Sequence, residues 1–314
     1  MPQEGLLQRT IAGRNLLNST ASLLERCSFK LVRTRIVVFV CGGTPKIKDG
    51  EPPSWRAAFL EWMKIHDDSS RLEVFLAEKA YDAAVKQDSK FLNISEFEQM
   101  LAALSDCILL FPESAGSYAE AGVFSSSHDI LSKVLVANEI DYHNASSFLN
   151  LGPLHTFTSL SRFSQAVILA GAEKINNAAF PIIRQRIENN ALKNRTTINW
   201  ASAKDVDIRE KLAVVLALIR TAGLLSAEDL LDLLAKISLE ISMLELNQLL
   251  RILRTFKQIE CQSSGVFRFI EATAFEATIA GAERKLTGLS ASYRNYYLQN
   301  FPRLLDSQAE MSAE

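Results

Sequence analysis

Long hydrophobic runs, paired cysteines and clustered histidines are all missing from this sequence of 314 residues. No apolar stretch approaches the ~18–20 residues of a membrane-spanning helix, which argues against an integral membrane protein. The first residues contain Glu4 and no continuous apolar stretch, so we expect no secretion signal there. The four cysteines form no CxxC pair, and the four histidines show neither HxxxH nor HExxH spacing. We therefore expect reduced thiols in a cytoplasmic protein, with no metal site.

A large net charge is missing as well, since 34 basic residues face 36 acidic ones for a net charge of −2. This balance argues against a protein that coats nucleic acid. The charge is uneven, however, because residues 1–35 carry six basic groups against two acidic ones. The segment is either a basic arm that contacts a polyanion or an amphipathic helix packed through its leucines. Its basic residues are Arg9, Arg14, Arg26, Lys30, Arg33 and Arg35.

The length suggests two domains, and the first is predicted to be α/β over residues 35–170. Its strand-like runs lie at 35–43, 71–78, 107–113 and 133–139. Helix-spaced apolar residues lie between them at 54–66 and 93–106. This alternation predicts a doubly wound parallel sheet, in which ligands bind outside the carboxyl ends of the strands. Those ends are residues 41–43, 77–78 and 111–117.

The rest of the chain is predicted to be mostly helical. The predicted segments are a basic helical arm at 1–34, a helical linker at 171–204, a winged helix-turn-helix domain at 205–273 and a helical tail at 274–314. Three helical patterns followed by a hairpin signal around SSG (263–265) indicate the winged helix. Three basic residues of its last helix are spaced to share one face and to neutralise DNA phosphates: Arg251, Arg254 and Lys257. Because residues 194–262 hold nine basic and nine acidic groups, a protein-contact role for this domain is equally open.

The segment PESAGSYAEAGVF, residues 112–124, carries the strongest chemical signal. Gly116 and Ser117 lie at a predicted helix start, where backbone N–H groups favour an anion or a sugar hydroxyl. Glu120 follows in the first turn, where an anionic carboxylate suits attack at the cationic anomeric carbon of a sugar. Glu78 and Glu113 end neighbouring strands, and crowded carboxylates raise one another's pKa, so one can serve as an acid. The alternative is that Glu120 only satisfies the helix dipole and the other two are solvated.

The first strand–helix connection offers further binding candidates. Trp55 is interpreted either as a stacking partner for a nicotinamide or base, or as an anchor that packs on the sheet. Arg56 either pairs with a phosphate through both terminal nitrogens or is exposed. Cys41 is expected to be a buried thiol, because no histidine lies at a partner spacing. Gly42 and Gly43 do not form a GxGxxG pattern, so we expect no dinucleotide cofactor.

The strand–loop–helix LLFPESAGSYAEAGVF (109–124) resembles the active-site segment of nucleoside 2-deoxyribosyltransferase-like domains. The likeness is closer still to one branch, the retron-associated effector toxins with a C-terminal DNA-binding domain. It extends in order over roughly residues 35–160. The shared elements are FVCGG (39–43), SWR (54–56), Glu78, Glu98, LLFPESxGS (109–117), AExGxF (119–124) and FLNLGP (148–153).

The resemblance assigns roles by position in these motifs. It implies that Glu120 is the nucleophile of an N-glycosidase. The implied sugar-binding groups are the backbone at Gly116 and Ser117 and the loop of Cys41, Gly42 and Gly43. True deoxyribosyltransferases carry a base-orienting aspartate six residues before the nucleophile, whereas this chain has Ser114 there, beside Glu113. The departure implies a different recognition of the base, and hydrolysis rather than transfer to a second base.

The resemblance also implies partners. Members of this branch act with a reverse transcriptase and its multicopy single-stranded DNA and RNA, which hold the toxin inactive until infection. Part of the family hydrolyses NAD, so NAD or a related nucleotide is the expected substrate, and we expect a higher-order oligomer without membrane attachment. Two other functions stay open: a non-enzymatic nucleotide-sensing DNA-binding regulator, and a nucleoside deoxyribosyltransferase.

Overall fold

The structure, a computed structural model, divides the chain into two compact units. It describes residues 4–32, 35–47, 50–66, 71–78, 94–171, 173–191, 197–199, 206–262, 265–270 and 275–305. The α/β unit is Thr34–Lys193, and the split unit combines Met1–Arg33 with Asn194–Glu314. None of the helices in the described ranges is long and apolar enough to cross a membrane.

The split unit begins with helix α1 (Ile11–Leu24) and strand β1 (Ser28–Val32). Thr10 caps α1 by accepting a hydrogen bond from the Gly13 amide, and the helix buries Leu17 and Leu24. The preceding turn is also fixed, because the Asp229 carboxylate accepts a hydrogen bond from the Leu7 amide at 3.1 Å. The segment predicted as an arm is thus packed into the unit as an amphipathic helix and a strand. Its side chains at Arg9, Arg14, Arg26 and Lys30 are exposed, and Arg33 lies outside the described residues.

The α/β unit is built on a parallel sheet, as predicted. Its strands are β2 (Ile36–Cys41), β3 (Leu72–Phe75), β4 (Cys107–Leu110), β5 (Val134–Glu139) and β6 (Val167–Leu169). All neighbours pair in parallel in the order β3-β2-β4-β5-β6. The winding reverses between β2 and β4, which makes their carboxyl ends the switch point where ligands bind in doubly wound sheets. The four predicted strands are present, and β6 is a fifth.

Helices cover both faces of this sheet. They are α2 (Trp55–His66), α3 (Ile94–Leu104), α4 (Ala115–Ser125), α5 (His128–Leu131), α6 (Ile140–His143), α7 (His155–Leu160) and α8 (Ala179–Asn190), with a π-helix at Asn150–Leu154. On one face, Phe59 of α2 and Phe180 of α8 meet edge to face. On the other face, Phe124 of α4 meets Phe39 of β2. Because α8 is part of this core, residues of the predicted linker belong to the α/β unit. Pro181 does not break the helix, since it lies in the first turn, where its missing N–H removes no helical hydrogen bond.

The split unit continues after the α/β unit. Its elements are β7 (Thr197–Asn199), α9 (Ile208–Ala222), β8 (Leu224–Ser226), α10 (Ala227–Lys236), α11 (Met243–Thr255), β9 (Ile259–Cys261), β10 (Val266–Phe269), β11 (Glu276–Ala280) and α12 (Glu283–Asn300). One antiparallel sheet has the order β8-β10-β9, and a second has the order β11-β1-β7. The predicted three helices and following hairpin are present, while residues 263–264 of its turn lie outside the described residues.

The predicted helical tail is wrong at its start. Residues 276–280 form β11, because they pair along the whole of β1 and bury Ala277 and Ile279. The helical part, α12, packs against α1 through tyrosines. The Tyr293 hydroxyl lies 2.8 Å from Thr20 Oγ1, inside the core. These contacts show why the tail is rich in aromatic residues.

Candidate active site

The carboxylate of Glu113 links the end of β4 to the loop after β2 and to the start of α2, at the switch point of the sheet. Its Oε1 accepts hydrogen bonds from the amides of Gly43 and Arg56, both at 3.0 Å. Its Oε2 accepts one from the Trp55 amide at 2.7 Å. The anion therefore caps the start of α2, where the helix dipole favours negative charge. Both oxygens are used inside the protein, so Glu113 is neither a solvated loop residue nor free to bind substrate.

The two glycines before this cap are required by the close approach of their neighbours. A Cβ at position 42 would lie 2.9 Å from Arg56 Cβ, and one at position 43 would lie 2.9 Å from Ser54 Cβ. Such distances cannot be relieved without moving α2. Gly42 and Gly43 thus allow the loop after β2 to approach the helix start, as a tight strand–helix connection requires.

Ser114 and Ser117 form the capped start of α4. Ser114 Oγ accepts a hydrogen bond from the Ser117 amide at 3.2 Å and donates one to the Gly42 carbonyl at 3.3 Å. Ser117 Oγ in turn accepts from the amides of Glu113 and Ser114. Ser117 is fully buried, so its hydroxyl closes this turn and does not face a ligand. Gly116 is exposed beside it.

Arg56 is a buried cation at the same edge. Its two terminal nitrogens donate to the two oxygens of Glu78 at 2.6 and 2.7 Å, and the arginine side chain is only 3% exposed. Glu78 is 47% exposed, so the pair joins the buried site to solvent. Both terminal nitrogens that are predicted to bind a phosphate are paired with this carboxylate, and the alternative of an exposed arginine is wrong.

Glu120 lies on the face of α4 that covers the sheet. One turn later on α4, Phe124 contacts Phe39, with ring centroids 6.1 Å apart. Glu120 lies one helical turn before Phe124, and Cys41 lies two residues after Phe39 on β2, so Glu120 lies over Cys41. Its Oε2 atom is buried and has no hydrogen-bond partner within the described residues. A carboxyl group is thus held, with one atom unused, at the carboxyl end of β2.

The surroundings of Glu120 oppose the anionic form that the sequence predicts. Burial, followed by the nearby carboxylate of Glu98, raises the pKa of Glu120 from 4.5 to about 8, although the Arg56 guanidinium opposes the rise. Since α4 begins at Ala115, Glu120 lies beyond the first turn, and the helix terminus stabilises its anion little. Glu120 therefore keeps its proton at neutral pH until something lowers its pKa.

Two further groups complete this cluster. Burial also raises the pKa of Glu98, with Glu78 as the next contribution, so neighbouring carboxyls compete for protons. Burial raises the pKa of the Cys41 thiol well above its usual range, and Cys41 is a neutral group rather than a nucleophile. Apart from the family pattern, nothing in the sequence singles out Glu98, because its helix α3 is separated from α4 by β4 and only tertiary packing brings its carboxyl near Glu120. In the part of the chain that the structure describes, no group of three or more His, Cys, Asp or Glu could hold a metal ion.

A separate cavity of about 180 Å³ opens at the carboxyl ends of β4 and β5. Its walls include Trp55, Glu113, Tyr118, Glu139, Tyr142 and Lys174, but not Glu120. Tyr118 and Glu120 are two residues apart on α4 and project on different sides of the helix. Trp55 is 2% exposed and contacts Phe180 edge to face, which agrees with its role as an anchor. No motif pointed to Glu139, Tyr142 or Lys174, because they lie outside the segments that carry a recognisable pattern.

The three basic residues predicted to contact nucleic acid do not share one helix face. Arg251 and Arg254 lie on α11 and are half-buried. The helix ends at Thr255, and Lys257 has a φ of +54°, so the chain has already turned away. Lys257 is exposed but is not part of the helix surface.

Comparison with known proteins gives three matches. A family model described as STM3845 retron effector protein matches residues 52–261, about two thirds of the chain. A candidate ribosyltransferase/DNA-binding protein of retron Ec86 from Escherichia coli is 26% identical over 147 residues, which is 47% of this chain and 44% of that protein. Its counterpart from Escherichia coli retron Ec73 is 29% identical over 128 residues, which is 40% of this chain and 39% of that protein. The chain thus matches less than half the length of these curated relatives.

Proposed function

The chain belongs to the STM3845 retron effector family, and from that premise we propose that it is the toxin of a retron anti-phage system. We propose further that the α/β unit is an N-glycosidase that cleaves NAD or a related nucleotide, with Glu120 as nucleophile. The observation that carries this proposal is the buried, unpartnered Oε2 of Glu120 at the switch point of the sheet. The word ribosyltransferase in the names of the relatives supports chemistry at a ribosyl carbon.

The protonation of Glu120 sets the first requirement of this reaction. A protonated carboxyl is not a nucleophile, and the raised pKa keeps the proton on Glu120 at neutral pH. A substrate whose nicotinamide ring is positively charged favours the carboxylate when it binds, because opposite charges lower an acid's pKa. The proton then leaves to solvent or to a neighbouring carboxylate. A cationic substrate therefore helps to generate its own nucleophile.

Bond cleavage follows from this charge arrangement. As the bond between the anomeric carbon and the nicotinamide nitrogen breaks, its electron pair neutralises the ring, so the leaving group needs no proton. The Glu120 carboxylate stabilises the cationic sugar carbon or bonds to it. Water then supplies the hydroxyl at that carbon and releases a proton, either by direct attack or by hydrolysis of the glycosyl ester. The products are nicotinamide and the free ribosyl nucleotide.

Arg56 has a supporting electrostatic role in this proposal. Its buried guanidinium is the positive charge that lowers the pKa of Glu120 against burial and Glu98. The bidentate pair with Glu78 fixes the position of that charge. Cys41 is a small, neutral thiol beneath Glu120 and adds no charge to the site.

We propose that a reverse transcriptase and its multicopy single-stranded DNA with RNA hold the effector inactive in the cytoplasm, in a higher-order oligomer. The element order α9-β8-α10-α11-β9-β10 supports a winged helix in the split unit. The word DNA-binding in the relatives' names supports a nucleic-acid contact there. If α11 contacts the DNA, Arg251→Gln with Arg254→Gln should weaken binding of that DNA and flatten its salt dependence. Unchanged binding would favour a protein-contact role.

Product analysis tests the enzymatic proposal. The full chain is incubated with NAD, with a deoxynucleoside, and with a deoxynucleoside plus a free base, and the products are separated by chromatography. Nicotinamide release supports the hydrolase, whereas base exchange would identify a deoxyribosyltransferase. Binding of nucleotide without any product would identify a sensor.

Growth of cells tests the toxin proposal. Expression without the reverse transcriptase and its DNA should stop growth, and Glu120→Gln should restore growth at an equal protein level. If cells that express Glu120→Gln still stop growing, the assignment of Glu120 is wrong.

A further inference from the structure

The cavity at the ends of β4 and β5 contains polar groups that the proposed chemistry at Glu120 does not use. The ammonium of Lys174 lies 5.1 Å from the centroid of the Trp55 ring and forms no ion pair with another described residue. Glu139 accepts a hydrogen bond from Trp55 Nε1 at 3.2 Å through one oxygen only. Within the described residues its other oxygen has no partner. The cavity thus offers one cation and one acceptor to a ligand.

Two aromatic rings stand at the same cavity. Tyr118 is 46% exposed and Tyr142 is 62% exposed, although both are large side chains beside a concave surface. Exposed rings of this kind stack on planar bases, since every base has a π-face. The volume of about 180 Å³ is below the ~300–1,000 Å³ of pockets that enclose a whole ligand. The cavity therefore fits one part of a larger ligand.

Its position relative to Glu120 indicates which part. Tyr118 and Glu120 project on different sides of α4, so a ligand that reaches both must cross the start of that helix. Gly116 lies there, exposed, and a Cβ at this position would meet nothing closer than Ser114 Oγ at 3.9 Å. Open space above the first amides of an 11-residue helix suits the phosphates of a crossing ligand.

We propose that this cavity is a subsite for the second, phosphate-bearing half of a dinucleotide whose scissile bond lies at Glu120. The proposal rests on the function proposed above. Lys174 binds a phosphate oxygen, Glu139 accepts an N–H of the base, and the tyrosines stack on it. The enzyme then prefers dinucleotides to nucleosides, because a nucleoside leaves these groups unused.

Binding of ADP tests this subsite without any cleavage, because ADP lacks the scissile bond. Calorimetry on the full chain should show that ADP binds and that Lys174→Gln weakens its binding about tenfold or more, as expected when one charge-assisted hydrogen bond is lost. Lys174→Arg should retain most of the affinity. Lys64→Gln is the matched control, since Lys64 is an exposed lysine near the far end of α2. Melting curves confirm that each variant is folded.

Kinetics separate this inference from the function on which it rests. The KM for NAD should rise in Lys174→Gln, while the KM for nicotinamide riboside, which has no phosphate, should stay unchanged. Absence of ADP binding, or equal affinity in Lys174→Gln and wild type, would overturn the subsite. If ADP binds through Lys174 but no nicotinamide is released from NAD, the subsite stands and the proposed function fails. If nicotinamide is released with the same KM in both proteins, only the subsite fails.

Discussion

Replacement of Glu120 by glutamine should stabilise the α/β unit, and the gain should grow with pH. Glu120 has its pKa raised from 4.5 to about 8, chiefly because burial disfavours the anion. Between these two values the unfolded chain releases the proton while the folded protein keeps it. Raising the pH through this window therefore favours unfolding of the wild type. Glutamine has nearly the same shape and no charge, so the variant lacks this dependence.

The magnitude follows from the two pKa values. At about 1.4 kcal/mol for each pH unit between 4.5 and about 8, the full penalty is about 5 kcal/mol. At pH 5, just above the unfolded-state pKa of 4.5, ionisation of Glu120 stabilises the unfolded chain by only about 1 kcal/mol. The stabilisation by Glu120→Gln should thus be small at pH 5 and several kcal/mol at pH 9. The wild type is less stable than the variant by this amount because it holds an ionisable carboxyl in a buried site, as is common for catalytic residues.

Urea unfolding at both pH values measures this difference. The fluorescence of Trp55 and Trp62 reports on the α/β unit, since both rings are buried in its core. Glu96→Gln is the matched control, because Glu96 is an exposed carboxylate on α3. A gain that is equal at pH 5 and pH 9, or a loss of stability at pH 9, would refute the claim that Glu120 carries a strongly raised pKa.

Three other substitutions test separate parts of the site and fold. Glu98→Gln should move the rising limb of kcat/KM against pH to lower pH, because Glu98 is the charge that most raises the pKa of Glu120; an unmoved limb would show that the two carboxyls are not coupled. Glu113→Ala should lower the free energy of unfolding by about 2–4 kcal/mol in urea, since three backbone amides lose their acceptor; unchanged unfolding would contradict the cap. Tyr293→Phe should lower the free energy of unfolding by about 1 kcal/mol, because the buried hydrogen bond between the Tyr293 hydroxyl and Thr20 Oγ1 is lost. An unchanged melting temperature would mean that this hydrogen bond does not stabilise the fold.

The parallel sheet could be predicted because its central strands are buried on both faces and are therefore apolar throughout. β2 shows this directly, with IVVFVC in sequence and all but its first residue buried. β6 could not be predicted in the same way, since three residues are too few for a periodic signal. The sequence places the residues of α8 in a helical linker, and only the packing of Phe180 against Phe59 of α2 shows that the helix belongs to the core.

The candidate site could be predicted only in part. The order of strands alone brings Glu78 and Glu120 to one edge of the sheet. The cap by Glu113 depends on amides more than 50 residues away, whose convergence no local pattern contains. The raised pKa of Glu120 depends on burial and on Glu98, both of which arise from tertiary packing. Lys257 fits a helical spacing, and the positive φ that removes it from the helix has no clear sequence signal.

Nicotinamide release from NAD is the measurement that tests the central claim most directly. Wild type, Glu120→Gln and the control Glu96→Gln are compared at one pH, at equal concentrations of folded protein. We predict release by the wild type and the control, and none above background by Glu120→Gln. Equal release by Glu120→Gln and the wild type would contradict the claim that Glu120 performs the reaction.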